Sequence, residues 1–143
     1  MNARVLLAAV GGAVSNFLVG WVVYGMLLMG YMKANTVQYA GLMKEPPDLA
    51  VMFISGFFWA LAYAFIFNRW AGIKDFKSGL LAGMAITVLY SLSIDLQFMS
   101  MMNLYIGYTV ILVDVAASTV MGSIMGGVVG LILGMGNKET AAA

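Results

Sequence analysis

The sequence predicts an all-α fold, a four-span transmembrane helix bundle with short loops, and three observations carry that prediction. The chain is 63% hydrophobic and only 9% charged, against about 25% charged in a soluble globular domain. Mean hydropathy is +0.97. The apolar residues fall into four proline-free stretches separated by polar segments. Each stretch is near the roughly 20 residues a helix needs to cross about 30 Å of hydrocarbon. Four such spans nearly use up 143 residues, so a single transmembrane domain over 1–143 is expected.

Span one is expected over about 5–29. It carries Gly12, Asn16 and Gly20 at i+4 spacing, then Trp21 and Tyr24 where an interfacial aromatic belt belongs. Asn16 is expected to hydrogen-bond a neighbouring helix. Met1 to Arg4 and the apolar run after it imitate a signal peptide. The run is too long for one and no Ala-x-Ala site breaks it, so it reads as the first span. The one long loop, Gly30 to Asp48, ends in Pro46-Pro47, which stops any helix. Its apolar middle, Thr36 to Met43, is expected to lie on the membrane surface as a short helix.

Span two, about 49–67, is rich in Phe, Trp and Tyr and should present a broad face to lipid. Gly56, Ala60 and Ala64 form one i+4 stripe able to receive a neighbour. A polar turn with Lys74, Asp75 and Lys77 leads to span three, about 78–99. A short loop near Ser100 to Asn103 leads to span four, about 104–133. The tail, 134–143, is expected to be disordered. Its last residues, Lys138 to Ala143, match the opening of the ribonuclease S-peptide and are assigned no function.

Spans three and four carry small or polar residues at every fourth position. Span three has Gly79, Gly83, Thr87, Ser91 and Asp95; span four has Asp114, Ser118, Gly122, Gly126, Gly130 and Gly134. Residues four apart share a helix face. Each span thus presents a narrow groove with almost no side chains, turning polar towards one end. A hairpin centred between Leu104 and Tyr105 sets Asp95 level with Asp114, Ser91 with Ser118, Thr87 with Gly122 and Gly83 with Gly126. The glycines, Gly79, Gly83, Gly122, Gly126 and Gly130, are read as helix-packing positions of the Gly-xxx-Gly type.

Asp95 and Asp114 are the only carboxylates that no loop can claim. A carboxylate at bilayer depth costs roughly 2.5–3.5 kcal/mol on insertion scales, so it has a partner or lines a pathway. Two of them side by side in low dielectric share a proton or hold a cation between them. A hydrogen-bonded structural pair is the first reading. An ion or proton site at Asp95, Asp114, Ser91 and Ser118 is the second, and an oligomer contact the third.

Several classes are excluded or disfavoured. Net charge is +1 with no basic run, so no nucleic-acid partner is expected. There is no cysteine and no histidine, which removes thiol chemistry, the commonest general base and the commonest metal ligand. No cofactor and no catalytic residue are assigned. Arg4, Arg69, Lys74, Lys77 and Lys138 fall on one side of the four spans, and only Lys33 and Lys44 on the other. That bias places both termini in the cytoplasm.

The order of features resembles a family of small bacterial four-helix membrane proteins catalogued as a domain of unknown function. The resemblance rests on Trp21, Tyr24 and Gly25, on Met29-Gly30-Tyr31-Met32, and on Asp114 followed by Met121-Gly122. Family members usually place a proline where this chain has Gly25. The resemblance implies a bacterial inner-membrane protein and lends no activity. The expected function is a non-enzymatic structural or accessory role in the bilayer, as a homo-oligomer or a subunit of a membrane complex. The alternative is a small oligomeric cation or proton channel or transporter using Asp95 and Asp114. A third possibility is a binder of lipid or another apolar ligand beside span two.

Overall fold

The structure is a computed structural model and describes residues 2–135. Five helices occur among them: α1 (Ala3–Leu27), α2 (Met29–Asn35), α3 (Leu49–Ala71), α4 (Phe76–Met101) and α5 (Tyr108–Gly134). All but α2 are long and apolar enough to cross a membrane. Local chemistry explains where several of them start. Asn2, Asp48 and Asp75 cap α1, α3 and α4, each accepting a backbone N–H of the first turn, one of the four that a helix start leaves unpaired. α3 ends at Gly72, whose left-handed φ of +63° closes the last turn where a side chain would be strained.

The last turns of α1 and α3, Trp21–Leu27 and Phe67–Ala71, are wound as π-helix. Span one therefore stops at Leu27, two residues before the expected end. Leu28 leaves helical geometry at φ −103° and ψ −5°, and α2 follows as a separate element. Span two continues four residues past the expected Phe67. The expected surface helix at Thr36 to Met43 is absent; the helix lies earlier, at Met29–Asn35. Span four begins at Tyr108 and not near Leu104. The reason is pairing between the two loops at this end. The Val37 N–H donates to the Leu104 carbonyl at 2.8 Å, the Ile106 N–H to the Asn35 carbonyl at 3.0 Å, and Thr36 bridges Tyr105. Backbone groups engaged there are not free to start a helix. Gly134 closes α5, so expected tail disorder fails at that residue; 136–143 lie outside the described residues.

α4 and α5 pack as an antiparallel hairpin, with α1 on α5 and α3 on α1. The hairpin runs at glycine distance. A Cβ on Gly126 would strike the Gly79 carbonyl and approach the Gly83 Cα at 2.9 Å; one on Gly83 would strike the Gly122 carbonyl and approach the Gly126 Cα at 3.1 Å. Gly122 faces Thr87, and Gly130 faces the Asp75 carbonyl. This is the register the shared four-residue spacing predicts. Ala60 and Ala64 of α3 are fully buried, and a Cβ on Gly12 would lie 2.9 Å from Ala60 Cβ. The stripe on span two therefore receives α1. The rest of α3 is open to the surroundings, with only 17% of its apolar 18-residue stretch buried against 44% for α5.

Tyr63 and Phe67 of α3 are the largest fully buried side chains. The Tyr63 hydroxyl bonds Thr87 Oγ1 at 2.6 Å, while Thr87 donates onward to the Gly83 carbonyl at 2.8 Å. This chain ties α3 to the α4 groove. Interhelical hydrogen bonds in membranes average about 0.6 kcal/mol and reach about 1.7. Tyr63→Phe is expected to lose an amount in that range in detergent unfolding, and no loss would show that ring packing alone holds α3.

Asp75 offers a pH handle outside the spans. The Ser78 N–H donates to its carboxylate at 2.8 Å, and that backbone bond holds the Asp75 carboxyl below the usual range. A carboxyl depressed in the folded state stabilises fully above its unfolded pKa, near 3.9, and loses that contribution as pH falls through the lower folded value. The melting temperature of Asp75→Ala should therefore lie below that of the parent at pH 7, with the gap closing below about pH 4. A gap independent of pH would assign the effect to something other than the carboxylate cap.

Candidate functional site

Asp95 lies six residues before the end of α4 and Asp114 six residues after the start of α5. At about 1.5 Å per residue both sit roughly 9 Å inside the same end of the bundle. They line one cavity of about 260 Å³, together with Ser91, Ser118, Tyr24 and Asn16, and with Trp59 and Tyr90 as an aromatic wall. The Trp59 and Tyr90 rings lie 4.6 Å apart, tilted by 38°. All four residues of the expected ion or proton site therefore line one space.

The two aspartates are held differently. Asp114 is half-buried and engaged at both oxygens. The Tyr24 hydroxyl donates to its Oδ1 at 2.8 Å, and Ser118 donates to its Oδ2 at a long 3.4 Å. Tyr24 and Ser118 are themselves 3.0 Å apart. Asp95 is only 5% exposed. The Tyr105 hydroxyl donates to its Oδ1 at 2.8 Å, while its Oδ2 is buried with no hydrogen-bond partner among the described residues. Ser91 lines the cavity, but its hydroxyl donates back to the Thr87 carbonyl at 2.7 Å and not to a carboxylate. No Lys or Arg occurs between Lys77, in the first turn of α4, and Lys138, so no basic residue on α4 or α5 lies near the pair to neutralise it.

Sequence reasoning missed both tyrosines. Tyr24 sits in the π-wound end of α1, and the phase of that wide turn carries its hydroxyl onto α5. Such turns recur near functional sites. Tyr105 is delivered by the loop pairing with Asn35 and Val37, reinforced by the Tyr39 hydroxyl donating to the Asn103 carbonyl at 2.8 Å. Burial, and then the bond to Asp95, raise the Tyr105 phenol above its ordinary range, so it remains a proton donor at neutral pH. The only signal in the sequence was Tyr itself near a span end, which reads equally well as an interfacial belt. Asn16, expected to bond another helix, shows no hydrogen bond among the described residues; its amide borders Gly56 and faces the cavity.

The arrangement contains carboxyl and hydroxyl groups, with the Tyr24 and Ser118 hydroxyls set against the Asp114 carboxylate. Among the described residues no three Asp, Glu, His or Cys side chains converge as metal ligands, whereas Ca²⁺ takes about six to eight oxygens. Carboxyl and hydroxyl oxygens of this kind can accept a proton or contact a cation. Compared with known proteins, the chain matches no family model, no curated protein and no solved structure. The class that fold and site define is a helix bundle, with four helices apolar enough to span a membrane and a carboxylate pair within it.

Proposed function

We propose that this chain is a non-enzymatic, multi-pass protein of the bacterial inner membrane that takes up a proton or a cation at Asp95 and Asp114, as one protomer of a channel or transporter. The observation that carries this reading is Asp95 Oδ2, buried beside a cavity with no donor of its own. A buried polar atom left unpaired costs about 1–3 kcal/mol, and more if charged, so this oxygen calls for either a proton shared with Asp114 or an arriving cation. An oxygen that is bonded only when a proton or cation arrives accounts for that cost.

The basic bias supports cytoplasmic termini, which puts the carboxylates near the opposite face. The protein is taken to act as a homo-oligomer or within a membrane complex, because a single bundle of four spans has little interior to enclose a path. A structural or accessory role, the first expectation from the sequence, is the second reading here, favoured by Asp114, whose two oxygens are met by Tyr24 and Ser118.

Purified protein in liposomes, assayed for proton, Na⁺, K⁺ and organic-cation flux against protein-free liposomes, tests the proposal. Flux of at least one of these that falls in Asp95→Asn is the expected result. Absence of flux for every ion, with protein correctly inserted, would leave the structural role in its place.

A further inference from the structure

A second cavity adjoins the first. It is an apolar groove of about 660 Å³ between the π-wound end of α1 and the start of α3, walled by Phe17, Trp21, Met29, Met43, Leu49 and Met52. No charged side chain lines it. Asn16, Tyr24 and Met121 line both spaces. A carboxylate chamber with an aromatic wall thus shares a partition with a methionine-rich hydrophobic groove, and Tyr24 stands in that partition with its hydroxyl on Asp114.

The geometry points to a lipophilic organic cation as the ligand, its ammonium-type head between Asp95 and Asp114 and its apolar body in the groove beyond Tyr24. This rests on reading the two aspartates as a cation site, and names the class of cation. Charge complementarity selects the head: two carboxylates in a cavity lined by no basic residue meet a positive group. The aromatic wall narrows the choice. Trp and Tyr faces attract a cation whose charge is spread over carbon-bearing substituents, more so when it is desolvated. A small metal ion would exchange its hydration shell for too few oxygens here. The groove selects the body. Methionine is unbranched and adaptable, which suits apolar ligands of variable shape. A choline phospholipid fits less well, because its phosphate would follow the ammonium towards the carboxylates.

Photolabelling of the wild-type chain in phosphatidylcholine nanodiscs tests this. The probe is dodecyltrimethylammonium with a diazirine at the tail end; its counterpart is dodecanol carrying the same diazirine. The charged probe should label groove residues such as Phe17, Met43 and Met52, and unlabelled dodecyltrimethylammonium in excess should suppress that labelling. The double variant Asp95→Asn/Asp114→Asn should lower it at least about tenfold, the effect of losing a charge-assisted contact. If the double variant does not fold, the comparison of charged and neutral probes on wild type decides alone. Equal groove labelling by the neutral probe makes the groove a lipid site and overturns the inference. So does labelling that is unchanged in a folded double variant, or that scatters over exposed positions such as Leu81 and Leu112. If the charged probe fails while Asp95-dependent flux of protons or inorganic cations persists, this inference falls and the cation reading stands. If both fail, both fall.

Discussion

Alanine at Gly126 is expected to destabilise the α4–α5 hairpin by about 3 kcal/mol, the upper part of the range for overpacking a close-packed interior. The reason is the kind of atom that stands in the way. An added Cβ meets the Gly79 carbonyl and lies 2.9 Å from the Gly83 Cα. Both are backbone, and neither can rotate aside as a side-chain end can. Gly83→Ala should behave alike, since its Cβ meets the Gly122 carbonyl and the Gly126 Cα from the other side.

Lipid chains are as apolar as the helices, so little is gained merely by removing apolar surface from lipid. Close contact along these grooves is what favours the hairpin, and a methyl wedge removes several contacts together. Gly30→Ala supplies the control: a Cβ there meets no atom within 4 Å. Its stability should stay within about 0.5 kcal/mol of the parent or rise slightly, alanine being the better helix former. Unfolding in mixed micelles by added SDS, followed by tryptophan fluorescence, measures all three. Equal stability of Gly126→Ala and Gly30→Ala would mean that α4 and α5 do not approach at backbone distance.

Asp95→Asn is expected to lower cation or proton flux roughly 10- to 150-fold, the equivalent of one lost charge-assisted hydrogen bond of about 1.5–3 kcal/mol. The fold should survive, because an amide oxygen can still accept from Tyr105 and the side chain keeps its shape. Asp114→Asn is expected to be the milder of the two for flux. Its carboxyl already answers Tyr24 and Ser118, whereas the unpartnered oxygen belongs to Asp95. Flux in liposomes and melting on the same preparations separate the roles. Loss of flux at unchanged melting temperature fits a functional carboxylate. Unchanged flux in a folded Asp95→Asn protein would make the pair a structural one.

The helical class, the four apolar helices and the α4–α5 register were legible along the chain because each depends on information local to a helix or a hairpin. Hydropathy marks length. A four-residue spacing of small residues marks one face, and equal spacing on two neighbouring helices leaves one antiparallel match, with Gly83 on Gly126 and Thr87 on Gly122. The equal depth of Asp95 and Asp114 follows from the same hairpin.

What holds those carboxylates was decided only in three dimensions. Tyr24 reaches Asp114 across 90 residues of chain. Its approach depends on how α1 packs on α5 and on a π-wound turn that hydropathy does not encode. Tyr105 reaches Asp95 because Asn35 and Val37 bind the backbone on either side of it, a contact between loops that neither shows alone. The unequal state of the two aspartates arises from these long-range contacts, as does the apolar groove beside their cavity. Side-chain periodicity sets which face a helix offers. Packing sets what meets that face, and here it left Asp95 Oδ2 without a partner among the described residues.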